Sequence, residues 1–244
     1  LMPLVAAALA EARSRDFDAR ELRRFSRFML FALKASADAV CDSGLHQAPP
    51  DSERFSVSVG VGMGGLGELE EVHLSILKHG FKGVSPMSIP RIVPNMAAGV
   101  VASAFSARGA VSSPAAACAS GSQSIGHAFD WIRRGQTDVA LAGGAEAVIS
   151  LLGIGGFAAM RALSTRNESS ETASRPFDRD RDGFVMGEGA AMLVLEDFER
   201  ARARGAKIYA EIAGYAETCD GASLIRPTQN GDGAYRTMKL AMED

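Results

Sequence analysis

The sequence predicts an α/β layered fold, and three observations carry that prediction. Short apolar runs of strand length alternate with longer stretches of helical periodicity along the chain. Glycine clusters stand where strands should turn into helices. The composition is that of a packed globular protein: 244 residues, 47% hydrophobic and 23% charged. Alternating strands and helices build a sheet covered by helices.

Taken in order, Asp18-Ala19-Arg20-Glu21 has the cap chemistry of a helix start. Leu22, Phe25, Met29, Ala32, Leu33, Ala37 and Val40 then recur at helical spacing, and Asp42-Ser43-Gly44 should close the helix. Phe55 to Val59 alternates as a strand does, and Val61 follows before Gly62-Met63-Gly64-Gly65-Leu66-Gly67. Glu68 to Leu77 reads as a helix. Ala110 to Cys118 reads as a small-residue strand running into a helix from about Ser120 to Arg134. Thr137 to Ala142 is a short buried strand ending at Gly143-Gly144, and Ala190 to Leu195 is another. The charged helix Glu196 to Arg204 follows, and Ile208 to Gly214 is the last strand candidate.

Charge and cysteine count exclude several classes. With 26 Lys+Arg against 29 Asp+Glu the net charge is −3, which argues against a nucleic-acid-coating role. Three cysteines, Cys41, Cys118 and Cys219, are too few for a disulfide scaffold and point to a reducing compartment, the cytoplasm. The most apolar stretch, Val139 to Leu163, holds Glu146 and five glycines, so no membrane span is expected. The opening Leu1 to Ala10 has an apolar core but no basic leader, and it reads as chain already in progress.

Two motifs imitate binding sites. Gly62 to Gly67 fits G-x-G-x-x-G between a strand and a helix, but no acidic residue stands between Glu71 and Asp130 to hold a ribose. A tight turn is the favoured reading. Asp178, Asp180, Asp182 and Gly183 resemble the start of a calcium loop, yet position 189 is glycine, with Glu188 one place early. A surface turn with ion pairs to Arg179 and Arg181 is favoured, and no metal site is expected.

Cys118 is the informative residue. It lies in Pro114-Ala115-Ala116-Ala117-Cys118-Ala119-Ser120-Gly121-Ser122, where a strand gives way to a helix. The positive end of the helix dipole favours a thiolate there, and free amides at the helix start can bind an oxyanion. Its tiny neighbours leave room for a thioester. A buried structural cysteine is the equal alternative on local chemistry alone. Such a nucleophile usually works with a histidine. His127 lies nine residues further on, about 13 Å along the same helix, and His46, His73 and His79 offer no better base.

Ala116-Ala117-Cys118-Ala119-Ser120-Gly121 resembles the nucleophile motif of the β-ketoacyl-acyl carrier protein synthases, closest to their type II condensing enzymes. The resemblance extends through Gly62-Met63-Gly64-Gly65-Leu66-Gly67, Ile125-Gly126-His127-Ala128, Ala142-Gly143-Gly144-Ala145-Glu146 and Gly155-Gly156-Phe157. It continues through Arg161 to Asn167, Ser174 to Asp178, Arg181 to Val185 and Gly187 to Ala190. It implies a thiolase-like layered fold, α/β/α/β/α when intact, of which this chain holds mainly the first half. Residues 1–190 would form that half without its first strand, and 191–244 the crossover into the second. Two catalytic histidines and a lysine would lie beyond Asp244.

The implied reaction is acyl transfer to Cys118 followed by decarboxylative condensation with malonyl-acyl carrier protein, as in fatty acid synthesis. Alternatives are a ketosynthase of polyketide or other secondary metabolism and a non-catalytic partner subunit, the latter disfavoured by Cys118. A degradative thiolase fits the later motifs poorly. The implied partners are acyl carrier protein and a second copy of the chain. No cofactor is implied beyond the carrier's phosphopantetheine. Val93, within Pro90 to Asn95, and Phe157 would line the acyl tunnel. Arg23, Arg24 and Arg161 match basic positions used for carrier docking. Arg20 and Arg27 extend the cluster on the first helix.

Overall fold

A sheet needs edges that pair and faces that helices cover, and the apolar runs of this chain supply both. A computed structural model of the protein describes residues 24–244. Helix α1 (Arg27–Asp42) leads by way of a short 3-10 turn into strand β1 (Phe55–Gly60). Helices α2 (Leu66–His79), α3 (Ser88–Ile92) and α4 (Met96–Ala104) follow, then strand β2 (Val111–Ser112). Helix α5 (Ser120–Arg133), strand β3 (Val139–Glu146) and helix α6 (Leu151–Ala159) come next. Strand β4 (Gly189–Glu196) and helices α7 (Phe198–Ala203) and α8 (Asp232–Glu243) complete the order.

The strands form one sheet in the order β2-β1-β3-β4. β1 runs parallel to β2 and β3, with Val57 opposite Val111 and Gly60 opposite Gly144. β4 returns antiparallel to β3, pairing Leu141 with Val194 and Glu146 with Gly189. Side chains alternate across the sheet. Val57, Val59, Val139, Leu141 and Met192 face α1 and α4, packing on Phe28, Met29, Ala32, Ala98 and Val101. Ala140, Ala142 and Leu195 face α5 and its Ala128, Ile125 and Phe129. The small residues on this second face let α5 lie close to the sheet.

Most expected elements are found, with shifted bounds. The cap at Asp18 to Glu21 lies outside the described residues; the described helix begins at Arg27 and ends, as expected, before Gly44 at φ +72°. Of the strand expected over 110–118 only Val111–Ser112 enters the ladder. Pro114, which has no N–H, leaves it with a single carbonyl contact to the Val61 N–H. Residue 196 belongs to β4 rather than to the charged helix, which starts at Phe198. The strand expected over 208–214 is absent: no described strand lies beside it, and without a partner the alternating segment stays irregular. Among the described residues no helix is long and apolar enough to cross a membrane.

Candidate active site

Cys118 sits on a short 3-10 turn, Ala117–Ala119, that leads straight into α5. Its side chain is exposed. Ala117, just before it, has φ +49°, a left-handed backbone that costs a non-glycine residue about 1–3 kcal/mol. Two hydrogen bonds bracket this strained residue. The Ser120 Oγ accepts from the Ala116 N–H at 2.9 Å and donates to the Ala117 carbonyl at 2.7 Å. A net hydrogen bond contributes about 1 kcal/mol, so the pair is of the same size as the strain.

The sheet fixes the other side of this elbow, the bend where the 3-10 turn enters α5. A Cβ on Gly60 would stand 2.1 Å from the Ser120 carbonyl oxygen, so only glycine lets the helix start rest on β1. Further along α5 the buried Ser124 Oγ donates to the Ser58 carbonyl at 2.6 Å and accepts from the Gly143 N–H at 3.1 Å. One serine thus ties α5 to both central strands.

The glycine-rich turn after β1 forms the adjoining wall. The backbone N–H groups of Gly62, Met63 and Gly64 converge on the Glu146 carboxylate at 2.9, 2.8 and 3.0 Å. Successive amides of this kind make an anion-binding nest, and here the protein fills it with its own carboxylate. That arrangement bears out the tight-turn reading and leaves the nest no room for a pyrophosphate. A Cβ on Gly62 would lie 3.6 Å from the Ala117 oxygen, so the turn touches the elbow. On its far side Gly64, at φ +74°, lies against Ile92 and Pro94. Val93, half-buried, therefore stands in a segment one turn removed from Cys118. Beneath it Arg91 pairs with Glu68 at 3.6 Å, and burial raises the Glu68 carboxyl above its ordinary range.

Phe157, half-buried on α6, meets Phe184 edge to face with ring centroids 5.2 Å apart. This ties α6 to the loop that carries Phe184, and the loop leaving α6 also bonds it through backbone, Ser164 N–H to Phe184 O and Phe184 N–H to Ala162 O, each at 3.0 Å. Asp182 fastens the same loops. It accepts from Ser164 Oγ at 2.7 Å and from the Thr165 N–H at 3.0 Å, and these bonds lower its carboxyl to about 2. The neighbouring acids are also engaged: Asp178 accepts the Asp180 N–H at 2.7 Å and pairs with Arg175 at 3.4 Å, while Asp180 pairs with Arg179 at 3.4 Å. The turn is ion-paired, but of the two expected arginines only Arg179 pairs with a carboxylate: Arg181 donates to the Asp178 carbonyl at 2.7 Å, and Arg175 and Arg166 supply the other pairs. Among the described residues no cluster could hold a metal.

The remaining candidates fall apart from one another. Arg161 is exposed at φ +54° at the end of α6, and Arg24 is exposed with its guanidinium over the Phe25 ring. Arg23 lies outside the described residues, as does Arg20. Arg27 leaves the expected basic cluster: it turns inward and pairs with Glu188, whose buried carboxylate also accepts the Ile149 N–H at 2.7 Å. No described contact links Phe157, Arg161 or any histidine to Cys118. Sequence reasoning missed Glu146, Ser120 and Glu188 as working residues. An acidic residue closing an otherwise apolar strand was the available signal for Glu146.

Over residues 4–201 the sequence matches the family described as the N-terminal domain of β-ketoacyl synthase. It is 44% identical over 227 residues to 3-oxoacyl-[acyl-carrier-protein] synthase 2 of Staphylococcus aureus, covering 93% of this chain and 56% of that protein. The protein of the same name from a Synechocystis strain is 44% identical over 236 residues, covering 94% and 57%. Among solved structures, a β-ketoacyl synthase from Burkholderia phymatum is similar at a TM-score of 0.84 and 37% identity, covering 94% of this chain and 56% of that one. A type II polyketide-synthase acyl-carrier protein in complex with its ketosynthase bound to the hexaketide gives 0.86 and 34%, covering 89% and 55%. The chain spans about half the length of the curated relatives it matches.

Proposed function

The chain belongs to the β-ketoacyl synthase family, and on that premise we propose that it carries the acyl-accepting cysteine of a cytoplasmic condensing enzyme of fatty acid synthesis. The observation that carries this reading is Cys118, exposed on a braced turn at the start of α5. Its thiolate attacks the carbonyl of an acyl thioester borne on the phosphopantetheine of acyl carrier protein. The carrier thiol leaves, and the acyl group stays on Cys118. Malonyl-acyl carrier protein then loses carbon dioxide, and its carbanion attacks the acyl-cysteine thioester. A 3-oxoacyl product forms on the carrier and the Cys118 thiolate returns.

Fatty acid rather than polyketide synthesis is favoured by the curated relatives, which are named 3-oxoacyl-[acyl-carrier-protein] synthase 2 at 44% identity. The carrier protein is the expected partner, and Arg24 and Arg161, both exposed, are proposed with Arg23 to meet its acidic surface. Val93 and Phe157 are proposed to line the acyl pocket. Leu151, 83% exposed at the start of α6, and its exposed neighbour Leu152 support a surface that a second copy covers.

Brief iodoacetamide treatment followed by peptide mass spectrometry tests the nucleophile. All three cysteines are exposed, so selectivity reports reactivity rather than access. Cys118 should label first and should also take an acyl group from acyl-carrier protein. Preferential labelling of Cys41 or Cys219 would refute the assignment.

A further inference from the structure

We propose that Ser120 is a positioning residue for Cys118, its hydroxyl holding the left-handed turn that presents the thiol. This rests on the reading of Cys118 as the acyl acceptor. The serine is 3% exposed and is the first residue of α5, one place after the N-cap Ala119; from a cap a hydroxyl would accept from an amide further along the helix. Here it does not. Both of its bonds point backward, from the Ala116 N–H and to the Ala117 carbonyl. The hydroxyl is therefore committed to the turn and not to the helix.

Cys118 is anchored on its helical side by the contact of Ser120 with Gly60 and by the Ser124 ties to β1 and β3. On its other side stands Ala117 at φ +49°. Left-handed alanine relaxes to negative φ when nothing holds it, and that rotation would re-aim the peptide entering Cys118. The Ser120 hydroxyl, itself 3% exposed, holds the chain at two points around Ala117: the Ala116 N–H one residue before it, and the Ala117 carbonyl of the peptide that enters Cys118. A thiol that must meet a thioester carbonyl at bonding distance depends on that grip, because small misplacements cost rate heavily.

The test compares the parent protein with Ser120→Ala, Ala117→Gly and the double variant. Acyl transfer to Cys118 from an acyl-carrier-protein thioester is timed by intact mass, with iodoacetamide labelling and thermal melting in parallel. Ser120→Ala should melt as a folded protein and still label at Cys118, yet acylate about tenfold more slowly, equivalent to about 1.4 kcal/mol. Adding Ala117→Gly should recover most of the rate, because glycine holds φ +49° without strain. A serine with only a structural role would lower the melting temperature but leave the acylation rate of the folded protein near the parent's, and that rate would gain nothing from the glycine. The proposal is overturned if Ser120→Ala acylates at the parent rate, or if the double variant is no faster than Ser120→Ala. A parent protein that takes no acyl group on Cys118 overturns the nucleophile reading itself, and the role of Ser120 with it.

Discussion

Replacing Glu146 with alanine should destabilise the protein more than its half-exposed position suggests. The carboxylate receives three amides at 2.8–3.0 Å, and a bond to a charged acceptor contributes about 1.5–3 kcal/mol net. Met63 is 41% exposed, so water can take over its amide. Gly62 is half-buried and Gly64 buried, so water serves their amides less well. We therefore expect a loss of about 3–5 kcal/mol, or a fall in melting temperature of roughly 10 °C for a chain of this size. Glu146→Gln, which keeps one acceptor oxygen but no charge, should lose about half as much. Differential scanning calorimetry of the three proteins decides it. Because the alanine variant leaves an empty anion nest, added formate should raise its melting temperature and leave the parent unchanged. If Glu146→Ala melts with the parent, the nest does not depend on its carboxylate and the wall beside the elbow is held some other way.

Three further outcomes follow from the same geometry. Gly60→Ala places a methyl 2.1 Å from the Ser120 carbonyl oxygen, so it should cost about 3 kcal/mol or more and slow Cys118 acylation beyond what its melting temperature explains. Asp182 has its carboxyl lowered from 3.8 to about 2 in the fold; its stabilisation is complete above the ordinary value and is lost as pH falls through about 2. Melting curves of Asp182→Asn and the parent should therefore differ at pH 5 and converge by pH 2, and a constant difference would show that other carboxylates set the acid response. Val93→Phe should block transfer of long acyl chains while sparing short ones, whereas an equal loss at every chain length would mean damage to the fold.

The sequence disclosed those elements whose burial pattern is one-sided. α1 and α5 show a helical period because one face meets the sheet, whereas β1 was legible because apolar residues alternate with serines although all six of its residues are buried. α4 was missed because Met96 to Ala104 is small and apolar almost throughout, buried so fully that no polar face marks the period. α6 was hidden by three glycines in nine residues, a composition that argues against a helix until Ser150 caps it by accepting from Gly153 and Glu70 accepts from Ser150. α8 could have been found, since Tyr235, Met238 and Met242 stand at helical spacing after a glycine. The expected strand over 208–214 failed for the opposite reason: alternation states what a strand would bury, but a ladder needs a neighbour, and the sequence cannot supply one.

The small residues around Cys118 had one explanation in the sequence and have two in the structure. Ala115, Ala117 and Ala119 are exposed beside the exposed Cys118, and their lack of bulk leaves the thiol uncovered. Ser120, Gly121 and Ser124 are small for another cause. Ser120 meets Gly60, a Cβ on Gly121 would meet Gly144 at 3.6 Å, and Ser124 bridges β1 and β3. Their size sets how closely α5 approaches the sheet, and so where its first turn, and the cysteine ahead of it, can stand. Gly60 and Gly144 are directly opposite in the β1–β3 register; together they make a notch two strands wide. Residues some 60 and 24 positions apart from Ser120 in sequence thus carry one task, which no local motif around the cysteine could reveal. The proposed nucleophile is legible as a word in the sequence; its placement is a property of the notch.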